Sequence, residues 1–295
     1  MDAKLIRQHD EERKLTTLNL PHLKQWIDAT EETTDVITLP AVARMAATLD
    51  KPQTYQDGDE LPPAWHWLYF LPTTPMSATG PDGHAKRGGF IPPVPLPRRM
   101  WAAGKFDLVQ PLRIGQPVQK KSEIVDVVLK EGKSGQLVFV PVRHTISGPH
   151  GVALIEEQTL VYRAAPQPGD PPPQPKAAPT NADWSRQIEP NIVLLFRYSA
   201  LTFNSHLIHY DRDHCAHEGY PGLVVHGPLV ATLLLDLVRE HLPGESIKQF
   251  SFRAVSPLFD IHPFTINGRR EGQTVVLWAA NHEGVLATEA TATLG

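Results

Sequence analysis

The sequence predicts an α+β protein made of two similar units, each with a helix enclosed by an antiparallel sheet. Both halves contain short runs of alternating apolar residues separated by turns that contain glycine, a pattern typical of antiparallel strands. In the second half, an almost wholly apolar helical segment precedes these runs. Between the halves, residues 164–183 are so rich in proline that they favour an extended connector. We therefore predict units at residues 1–163 and 185–295, joined by a linker at residues 164–184.

In the first unit, the pattern predicts helices within residues 20–49, with an N-cap at Thr38 and one apolar face along residues 40–49. Residues 62–72 form an aromatic segment bounded by prolines. The strands that follow are predicted at residues 122–129, 137–145 and 152–162, with glycine turns at residues 132–135 and 148–151. The first unit is thus predicted to be a helix followed by an antiparallel sheet.

In the second unit, residues 192–199 are predicted to form a short strand, and a polar loop then leads into a helix at residues 228–241. Apolar residues cover almost the whole circumference of this helix, so we expect a sheet to wrap around it. The later strands are predicted at residues 247–254, 262–270, 274–280 and 285–293, with turns at Asn267-Gly268 and Glu283-Gly284. Two copies of one α+β unit account for both halves.

Length, charge and cysteine content exclude several classes of protein. With 295 residues, 41% of them hydrophobic, the chain can bury two cores. A net charge of -4 gives no basic field, so we expect no nucleic-acid partner. The N-terminal residues carry scattered charges and no apolar run reaches the length of a membrane span, about 18 residues, so we expect no membrane association. The single cysteine, Cys215, fits a reducing compartment, and we predict a cytoplasmic protein.

The polar side chains best suited to chemistry are concentrated in residues 198–229. A polar loop there runs directly into the apolar helix, and three glycines, Gly219, Gly222 and Gly227, let the backbone approach a ligand closely. The loop holds an amide, two carboxylates and five histidines: Asn204, His206, His209, Asp211, Asp213, His214, His217 and His226. Histidine titrates near neutral pH and can move protons. We therefore predict the functional site in this stretch.

Two groups of motifs resemble a known family. Residues 204–211, Asn-Ser-His-Leu-Ile-His-Tyr-Asp, followed by residues 219–228, Gly-Tyr-Pro-Gly-Leu-Val-Val-His-Gly-Pro, resemble the MaoC-like, hydratase-2 branch of the hotdog fold. They are most similar to type 2 hydroxyacyl-thioester dehydratases and to hydratases of itaconyl-CoA and 3-methylfumaryl-CoA. Residues 65–70, 86–90 and 95–101 resemble the N-terminal hotdog of the same subgroup. The likeness covers most of the chain and implies a double hotdog whose second unit carries the catalytic loop.

The resemblance also implies roles for three loop residues. In the family pattern Asp-x-Asn-Pro-x-His, the histidine position falls on His209, the aspartate position on Asn204 and the asparagine position on His206. An amide cannot take a proton at neutral pH, so the usual sharing of proton transfer between Asp and His cannot operate unchanged. We expect His209 to act as general acid and base, with Asn204 holding the water. His206 is expected either to contact the substrate or to support the residues that do.

An acyl-CoA substrate requires a site for the thioester oxygen, on which negative charge develops. The backbone amides at Gly222 or Gly227 are expected to donate to that oxygen, helped by the positive end of the helix dipole. His226 is expected to contact the substrate, or else to satisfy the free amides of the first helical turn. No cofactor is implied beyond the coenzyme A of the substrate.

The first unit is expected to form a wall of the acyl pocket. Arg98 and Arg99 could pair with a substrate carboxylate, which would favour a dicarboxylic acyl group; an exposed basic pair is an equal alternative. His66 and Tyr69 are expected to line the pocket, although the aromatic segment also suits ordinary packing. Lys86 and Arg87 could contact the phosphates of coenzyme A or form a solvated loop.

A metal site is the weaker interpretation of the histidine cluster. Four residues, His206, His209, Asp211 and His214, suit zinc by ligand type, but no recognised metal-ligand motif such as HExxH is present. We predict no metal.

The leading hypothesis from the sequence is a hydro-lyase that hydrates a short, branched, dicarboxylic enoyl-CoA to citramalyl-CoA. A dehydratase of fatty 3-hydroxyacyl thioesters, a thioesterase and a noncatalytic acyl-CoA binding protein are the alternatives that remain open. A homodimer of double-hotdog chains is also open.

Overall fold

One antiparallel sheet runs through both halves of the chain. The computed structural model describes residues 18–132, 135–165 and 174–295, and within these ranges the sheet has eleven strands. The strands are β1 (Thr30–Val36), β2 (Arg98–Leu108), β3 (Pro117–Ile124), β4 (Val128–Gly132), β5 (Gly135–Gly148), β6 (Gly151–Arg163), β7 (Trp184–Ile188), β8 (Ile247–Ala254), β9 (Phe264–Glu271), β10 (Thr274–Asn281) and β11 (Leu286–Leu294). Their spatial order is β1-β3-β5-β6-β2-β8-β11-β10-β9-β7, and β4 pairs with β5.

The two halves join where β2 pairs with β8. Ala103 to Asp107 run antiparallel to Gln249 to Arg253, with Phe106 directly opposite Phe250. Both of these phenylalanines are buried, and their ring centroids lie 5.7 Å apart. Burying a side chain of this size contributes about 1.5–3 kcal/mol. The join is therefore a packed continuation of one sheet.

The long helix of the second half lies against the strands that follow it. This helix, α5 (Gly227–His241), begins with a proline in its first turn, and its side chains from Leu229 to Val238 are all buried. It contacts β9, β10 and β11. Asp236 within the helix lies 3.0 Å from the ammonium of Lys51, which ties the helix to the first half. The predicted helix wrapped by a sheet is confirmed here.

The other helices are shorter. They are α1 (Leu20–Leu23), α2 (Leu39–Thr48), α3 (Ile192–Leu201) and α4 (Arg212–His217). The helix predicted at residues 40–49 is confirmed as α2, which buries Val42, Met45 and Ala46 on one face and packs against α3. Thr38 is its N-cap residue, although its side chain makes no capping hydrogen bond. The helix of the first unit is thus ten residues long against fifteen in the second.

The strand predicted at residues 192–199 is wrong, because this segment is helix α3. Its apolar residues occur at nearly every position, so no periodicity separates a strand from a helix. The local signal is Asn191, whose side-chain oxygen accepts from the Leu194 N–H at 3.0 Å and caps the helix. The turn predicted at Asn267-Gly268 is also wrong, since both residues lie inside β9 opposite Trp278 and Leu277.

Several first-half strands differ from the prediction. β1 lies where a helix was predicted, and all but one of its residues are exposed, so no apolar alternation marks it. β2, the strand at the centre of the sheet, was not predicted. The strand predicted at residues 122–129 is instead the end of β3 and the start of β4, separated by residues 125–127. The strands predicted at residues 137–145 and 152–162 are confirmed as β5 and β6.

The end of the predicted linker docks on the second unit. The backbone oxygen of Lys176 accepts from the Leu286 N–H at 2.8 Å, and the Ala178 N–H donates to Gly284 at 2.9 Å. Residue 184 already belongs to β7. Three predictions fall on residues outside the described ranges. They concern the middle of the linker at residues 166–173, the glycine turn at residues 133 and 134, and the cellular location, for which residues 1–17 were used. No helix in the described ranges has the length and hydrophobicity needed to cross a bilayer.

Candidate active site

The polar loop of the second half meets a short loop of the first half. The Ser205 hydroxyl donates to the Gly83 oxygen at 2.6 Å, and the Leu207 N–H donates to the Asp82 oxygen at 3.0 Å. Gly83 has a φ of +88°, and the Ser205 oxygen lies 1.9 Å from the point that a Cβ of residue 83 would occupy. Only glycine fits this approach. The candidate site therefore lies between the two halves.

His209 ends a 3₁₀ turn, Leu207–His209, and is buried. Its Nδ1 lies 2.7 Å from the Val224 oxygen. A carbonyl only accepts, so Nδ1 carries the proton and Nε2 is left as the basic nitrogen. Burial lowers the pKa of His209 to about 4, although the bond to Val224 opposes that shift. At neutral pH His209 is thus a neutral imidazole ready to accept a proton.

His226 lies directly beneath His209. The two rings stack with centroids 3.6 Å apart and planes 16° apart. The Nε2 atom of His226 is 2.8 Å from the Ser199 hydroxyl, while its buried Nδ1 has no hydrogen-bond partner among the described residues. Burial, reinforced by His209 and His206, lowers the pKa of His226 well below its ordinary value. His226 is therefore neutral and supports the His209 ring.

Asn204 forms a local turn in the catalytic loop. Its side-chain oxygen accepts from the His206 N–H at 3.0 Å, and its own N–H donates to the Ser199 oxygen at 2.8 Å. This is the Asx hydrogen bond that shapes many loops. The side-chain amide makes no recorded contact with His209, so the structure leaves the predicted water-holding role untested.

A second histidine from the first half faces this loop. His84 Nδ1 lies 3.0 Å from a carboxylate oxygen of Asp82, and its ring centroid is 4.0 Å from that of His206. The His206 ring in turn lies edge-on to His209 at 5.6 Å. The hydrogen bond from His84 holds the pKa of Asp82 well below its usual range. Burial and the proximity of His84 lower the pKa of His206 to about 2.

Asp82, His84 and His206 also bear on the question of metal. Their ligand atoms lie within 4.8 Å of one another, and no other group of three in the described ranges comes as close. However, both carboxylate oxygens of Asp82 already accept from His84, and the charges of Arg99 and Arg87 act on His84. Positive charge next to the group disfavours a cation. The four zinc candidates from the sequence are not gathered, since Asp211 instead caps α4 through the His214 N–H.

The neighbouring arginines Arg98 and Arg99 have different surroundings. Arg98 is paired with Glu218 at 2.9 Å and stacks on the Tyr220 ring. Arg99 has no ion-pair partner among the described residues, and its charge acts on His84, His206 and Tyr162. Arg99 is therefore close enough to the histidine group for its charge to lower the pKa of His84 and His206, whereas Arg98 is paired with Glu218.

His66 and Tyr69 are held by the first unit itself. His66 Nε2 lies 3.0 Å from the buried carboxylate of Glu156, which also accepts from Trp67 and Gln158. The Tyr69 hydroxyl donates to the Thr38 oxygen at 2.8 Å, and burial raises its pKa to about 12. Neither residue makes a recorded contact with the catalytic loop. The hydrogen bonds of both side chains therefore indicate a structural role within the first unit.

The two predicted glycines also differ. Gly222 is enclosed, because a Cβ there would lie 2.8 Å from Asp260 and 2.9 Å from Ile261. Gly227 is the first residue of α5, directly after His226, and nothing lies within 4 Å of the position of an added Cβ. Its N–H has no recorded acceptor among the described residues. Of the two glycines, Gly227 thus has free space beside its Cα and Gly222 does not.

The basic residues Lys86 and Arg87 serve the loop that carries them. The Lys86 ammonium donates to Ser77, and the Arg87 guanidinium donates to the backbone oxygens of Val94, Leu96 and Pro97. Their alternative role as phosphate contacts has no support from these bonds.

Two hollows in the described surface lie away from His209. The larger, about 670 Å³, lies over β2, β8 and β11 beside the end of the linker. The smaller, about 230 Å³, is lined by His66 among other residues. No residue of the catalytic loop lines either of them. The candidate active site is therefore identified from its side chains, because neither of these hollows contains them.

Sequence reasoning missed Asp82 and His84. They lie in the first unit, 120 residues before the catalytic loop, and no local pattern connects them to it. The one signal was Asp-Gly-His itself, because a glycine between two ionisable residues permits a tight approach.

We expect Gly83→Ala to displace the loop that carries His84. The new Cβ would overlap the Ser205 backbone, so kcat should fall about tenfold or more, and the free energy of unfolding should fall by about 1–3 kcal/mol. Turnover and urea denaturation measure both. Gly88→Ala is the matched control, because Gly88 has a φ of +96° but meets only Pro93 at 3.7 Å. Equal losses in the two variants would contradict the importance of the contact with Ser205.

Comparisons with known proteins identify the family of this chain. The family profile described as hydroxyacyl-thioester dehydratase type 2 matches residues 64–260. Mesaconyl-C(4)-CoA hydratase of Chloroflexus aurantiacus is 47% identical over 275 residues, covering 92% of this chain and 97% of that protein. The mitochondrial hydroxyacyl-thioester dehydratase type 2 of Schizosaccharomyces pombe is 28% identical over 232 residues, covering 70% and 77%.

Solved structures share the fold. A MaoC-like dehydratase from Phytophthora capsici aligns with a TM-score of 0.67 at 15% identity, over 94% of this chain and 99% of that one. A double-hotdog protein of Mycobacterium tuberculosis aligns with a TM-score of 0.55 at 11% identity, over 91% and 96%. The predicted double hotdog is confirmed.

Proposed function

Because this chain belongs to the hydroxyacyl-thioester dehydratase type 2 family and is a hydro-lyase, we propose that it hydrates a short, branched, dicarboxylic enoyl-CoA. The proposed substrates are 3-methylfumaryl-CoA and itaconyl-CoA, and the product is citramalyl-CoA. The activity of the relative named mesaconyl-C(4)-CoA hydratase supports a methyl-branched dicarboxylic acyl group. The scheme uses no cofactor beyond the coenzyme A of the substrate.

The observation that carries the choice of substrate is the unpaired charge of Arg99. Within the described residues this guanidinium has no carboxylate partner, and its charge reaches His84 and His206 beside His209. A guanidinium forms paired, charge-assisted hydrogen bonds with a carboxylate. In 3-methylfumaryl-CoA the free carboxylate is attached to the carbon that water attacks. Arg99 would therefore hold that carbon beside the histidines.

In this proposal His209 is the base that activates water. Its Nε2 is unprotonated because Nδ1 donates to Val224, and burial keeps the ring neutral. Water loses a proton to Nε2 and its oxygen bonds to the β carbon, while electrons move toward the thioester oxygen. The stacked ring of His226 prevents His209 from turning away.

The negative charge that develops on the thioester oxygen needs a hydrogen-bond donor to stabilise it. The Gly227 N–H lies at the first turn of α5, and nothing lies within 4 Å of the position that a Cβ of residue 227 would occupy. The positive end of the helix dipole favours an anion there. We assign the oxyanion contact to Gly227 in preference to Gly222, which is enclosed. Asn204 is proposed to hold the water through its side-chain amide, since its oxygen is already engaged in the loop.

A fatty-acyl dehydratase is the second candidate. The family profile and the relative from Schizosaccharomyces pombe favour it, since both are described as hydroxyacyl-thioester dehydratases. A cytoplasmic location and a homodimer stay predictions, the first resting on the lone cysteine.

A substrate panel tests the proposal. Purified protein would be assayed by the absorbance of the enoyl thioester with 3-methylfumaryl-CoA, itaconyl-CoA and crotonyl-CoA. We expect kcat/KM to be highest for a dicarboxylic substrate. Equal or faster turnover of crotonyl-CoA would overturn the dicarboxylic choice in favour of the fatty-acyl dehydratase, and binding of all three without turnover would leave only a binding protein.

A further inference from the structure

Hydration requires two proton transfers, and the catalytic loop supplies one obvious group. His209 can take a proton from water, but a proton must also reach the α carbon. The family position for a carboxylate is Asn204, and its oxygen is engaged with the His206 N–H. An amide does not exchange protons at neutral pH. Unless His209 makes both transfers, a second acid–base group is needed, and this inference rests on the proposed function.

We propose that the Asp82–His84 dyad of the first half is this second acid–base group. In this assignment His84 Nε2 exchanges the proton of the α carbon, and Asp82 positions His84 and stabilises its protonated form. The first hotdog unit would then supply part of the chemistry as well as a wall of the pocket.

The hydrogen bond between the two residues fixes which nitrogen is available. His84 Nδ1 lies 3.0 Å from Asp82 Oδ2, while Asp82 Oδ1 accepts from the backbone N–H of His84 at 3.0 Å. A carboxylate only accepts, so Nδ1 carries a proton and Nε2 is left as the basic nitrogen. The His84 side chain is 24% exposed, compared with the buried His209. A substrate can therefore reach it.

Close backbone contacts hold the dyad against the catalytic loop. Asp82 accepts from the Leu207 N–H and Gly83 accepts from the Ser205 hydroxyl. The three histidine rings then lie in a row, with His206 4.0 Å from His84 and 5.6 Å from His209. No hydrogen bond of the His206 ring is recorded among the described residues. His206 is thus placed to pass a proton between the outer two histidines.

The step balances with one proton shared by the two groups. In hydration, water gives a proton to His209 Nε2 and its oxygen bonds to the β carbon. The electron pair of the double bond then takes a proton from protonated His84 Nε2 at the α carbon. One water has been added, and the proton on His209 returns to His84 through His206 or solvent. Dehydration follows the same steps in reverse.

Five charged or titratable groups interact with His84: Asp82, His206, His209, Arg87 and Arg99. Burial lowers the pKa of His84, the hydrogen bond to Asp82 opposes this, and the charges of Arg99 and Arg87 add to the lowering. A substrate carboxylate on Arg99 would offset the charge of that arginine. The pKa of His84 would then rise, so binding of a dicarboxylic substrate would favour the protonated form of His84 that acts as the acid.

The main test is His84→Gln, assayed with 3-methylfumaryl-CoA beside wild type. We expect kcat to fall about 100-fold with KM nearly unchanged, since general acid catalysis contributes about 10²–10⁴-fold. The fall of kcat at alkaline pH, which reports loss of the His84 proton, should disappear. Asp82→Asn keeps an acceptor but removes the charge, and should shift that alkaline fall to lower pH. The matched control is His282→Gln, because this exposed ring also stacks on a histidine, His262, at 3.8 Å.

Several outcomes would overturn the dyad. Turnover of His84→Gln within about threefold of wild type, while His209→Gln is inactive, would mean that His209 transfers both protons. An unchanged pH profile in Asp82→Asn would remove the role of the carboxylate. Loss of wild-type activity in a chelator, restored by Zn²⁺, would make the two residues metal ligands instead. A wild type inactive on every enoyl-CoA would defeat the proposed function itself, and so is distinguishable from these results.

Discussion

Replacing His209 with glutamine is expected to lower kcat for 3-methylfumaryl-CoA about 10³-fold, within the range for loss of a general base. Glutamine can still donate to the Val224 oxygen and lie against His226, but it cannot accept a proton from water. Steady-state kinetics measure the loss, and near-unchanged substrate binding would show that the pocket persists. A variant that keeps more than about a tenth of the wild-type kcat would remove His209 from the reaction.

The pH profile of the wild type gives a second check on His209. The active form is the deprotonated ring, which exists above its pKa, and burial places that pKa at about 4. As pH falls, kcat/KM should therefore not decline until the pH approaches 4. A decline centred near about 6.5, the ordinary value for histidine, would mean that an exposed histidine is the base. The acid-side decline should be absent from the residual activity of His209→Gln.

Replacing Arg99 with glutamine should change the choice of substrate. We expect kcat/KM for 3-methylfumaryl-CoA to fall about 10³-fold, since leaving a covered carboxylate without its charged partner costs about 4 kcal/mol. The value for crotonyl-CoA, which has no free carboxylate, should change by less than about threefold. The ratio of the two values is the readout, because a folding defect would lower both.

Arg98→Gln is the matched control for Arg99. It removes the same charge one residue away, where Glu218 is the partner. Its effects on the two substrates should be small and equal. If Arg98→Gln alone abolished the preference for the dicarboxylic substrate, the assignment to Arg99 would be wrong.

The sequence predicted a catalytic loop at residues 204–226 from signals that are local. The spacing from Asn204 to His209 and the glycines before α5 lie within a single stretch of chain. α5 was predicted nearly to the residue, since an apolar segment that starts at a proline and ends before Pro243-Gly244 has few other conformations. The four strands after it followed from alternation and turns.

Elements without a one-sided apolar pattern were missed. β1 is an edge strand whose residues face solvent, and β2 carries charged residues and a glycine while lying at the centre of the sheet. Its place depends on partners 46 to 65 residues away in β6 and 142 to 150 residues away in β8. Pairing of that kind leaves little trace in local periodicity.

The sequence by itself determined the double-hotdog architecture and the class of reaction, and it predicted the loop that contains His209, because the motifs behind these conclusions lie close together in the chain. The tertiary structure alone decided that the loop bearing Asp82 and His84 meets His206, and that Arg98 is paired with Glu218 while the charge of Arg99 acts on His84 and His206. It also placed His66 and Tyr69 in the packing of the first unit. The physical reason is that a proton-transfer site is assembled from side chains within a few ångströms of each other, and only folding brings the two halves that close.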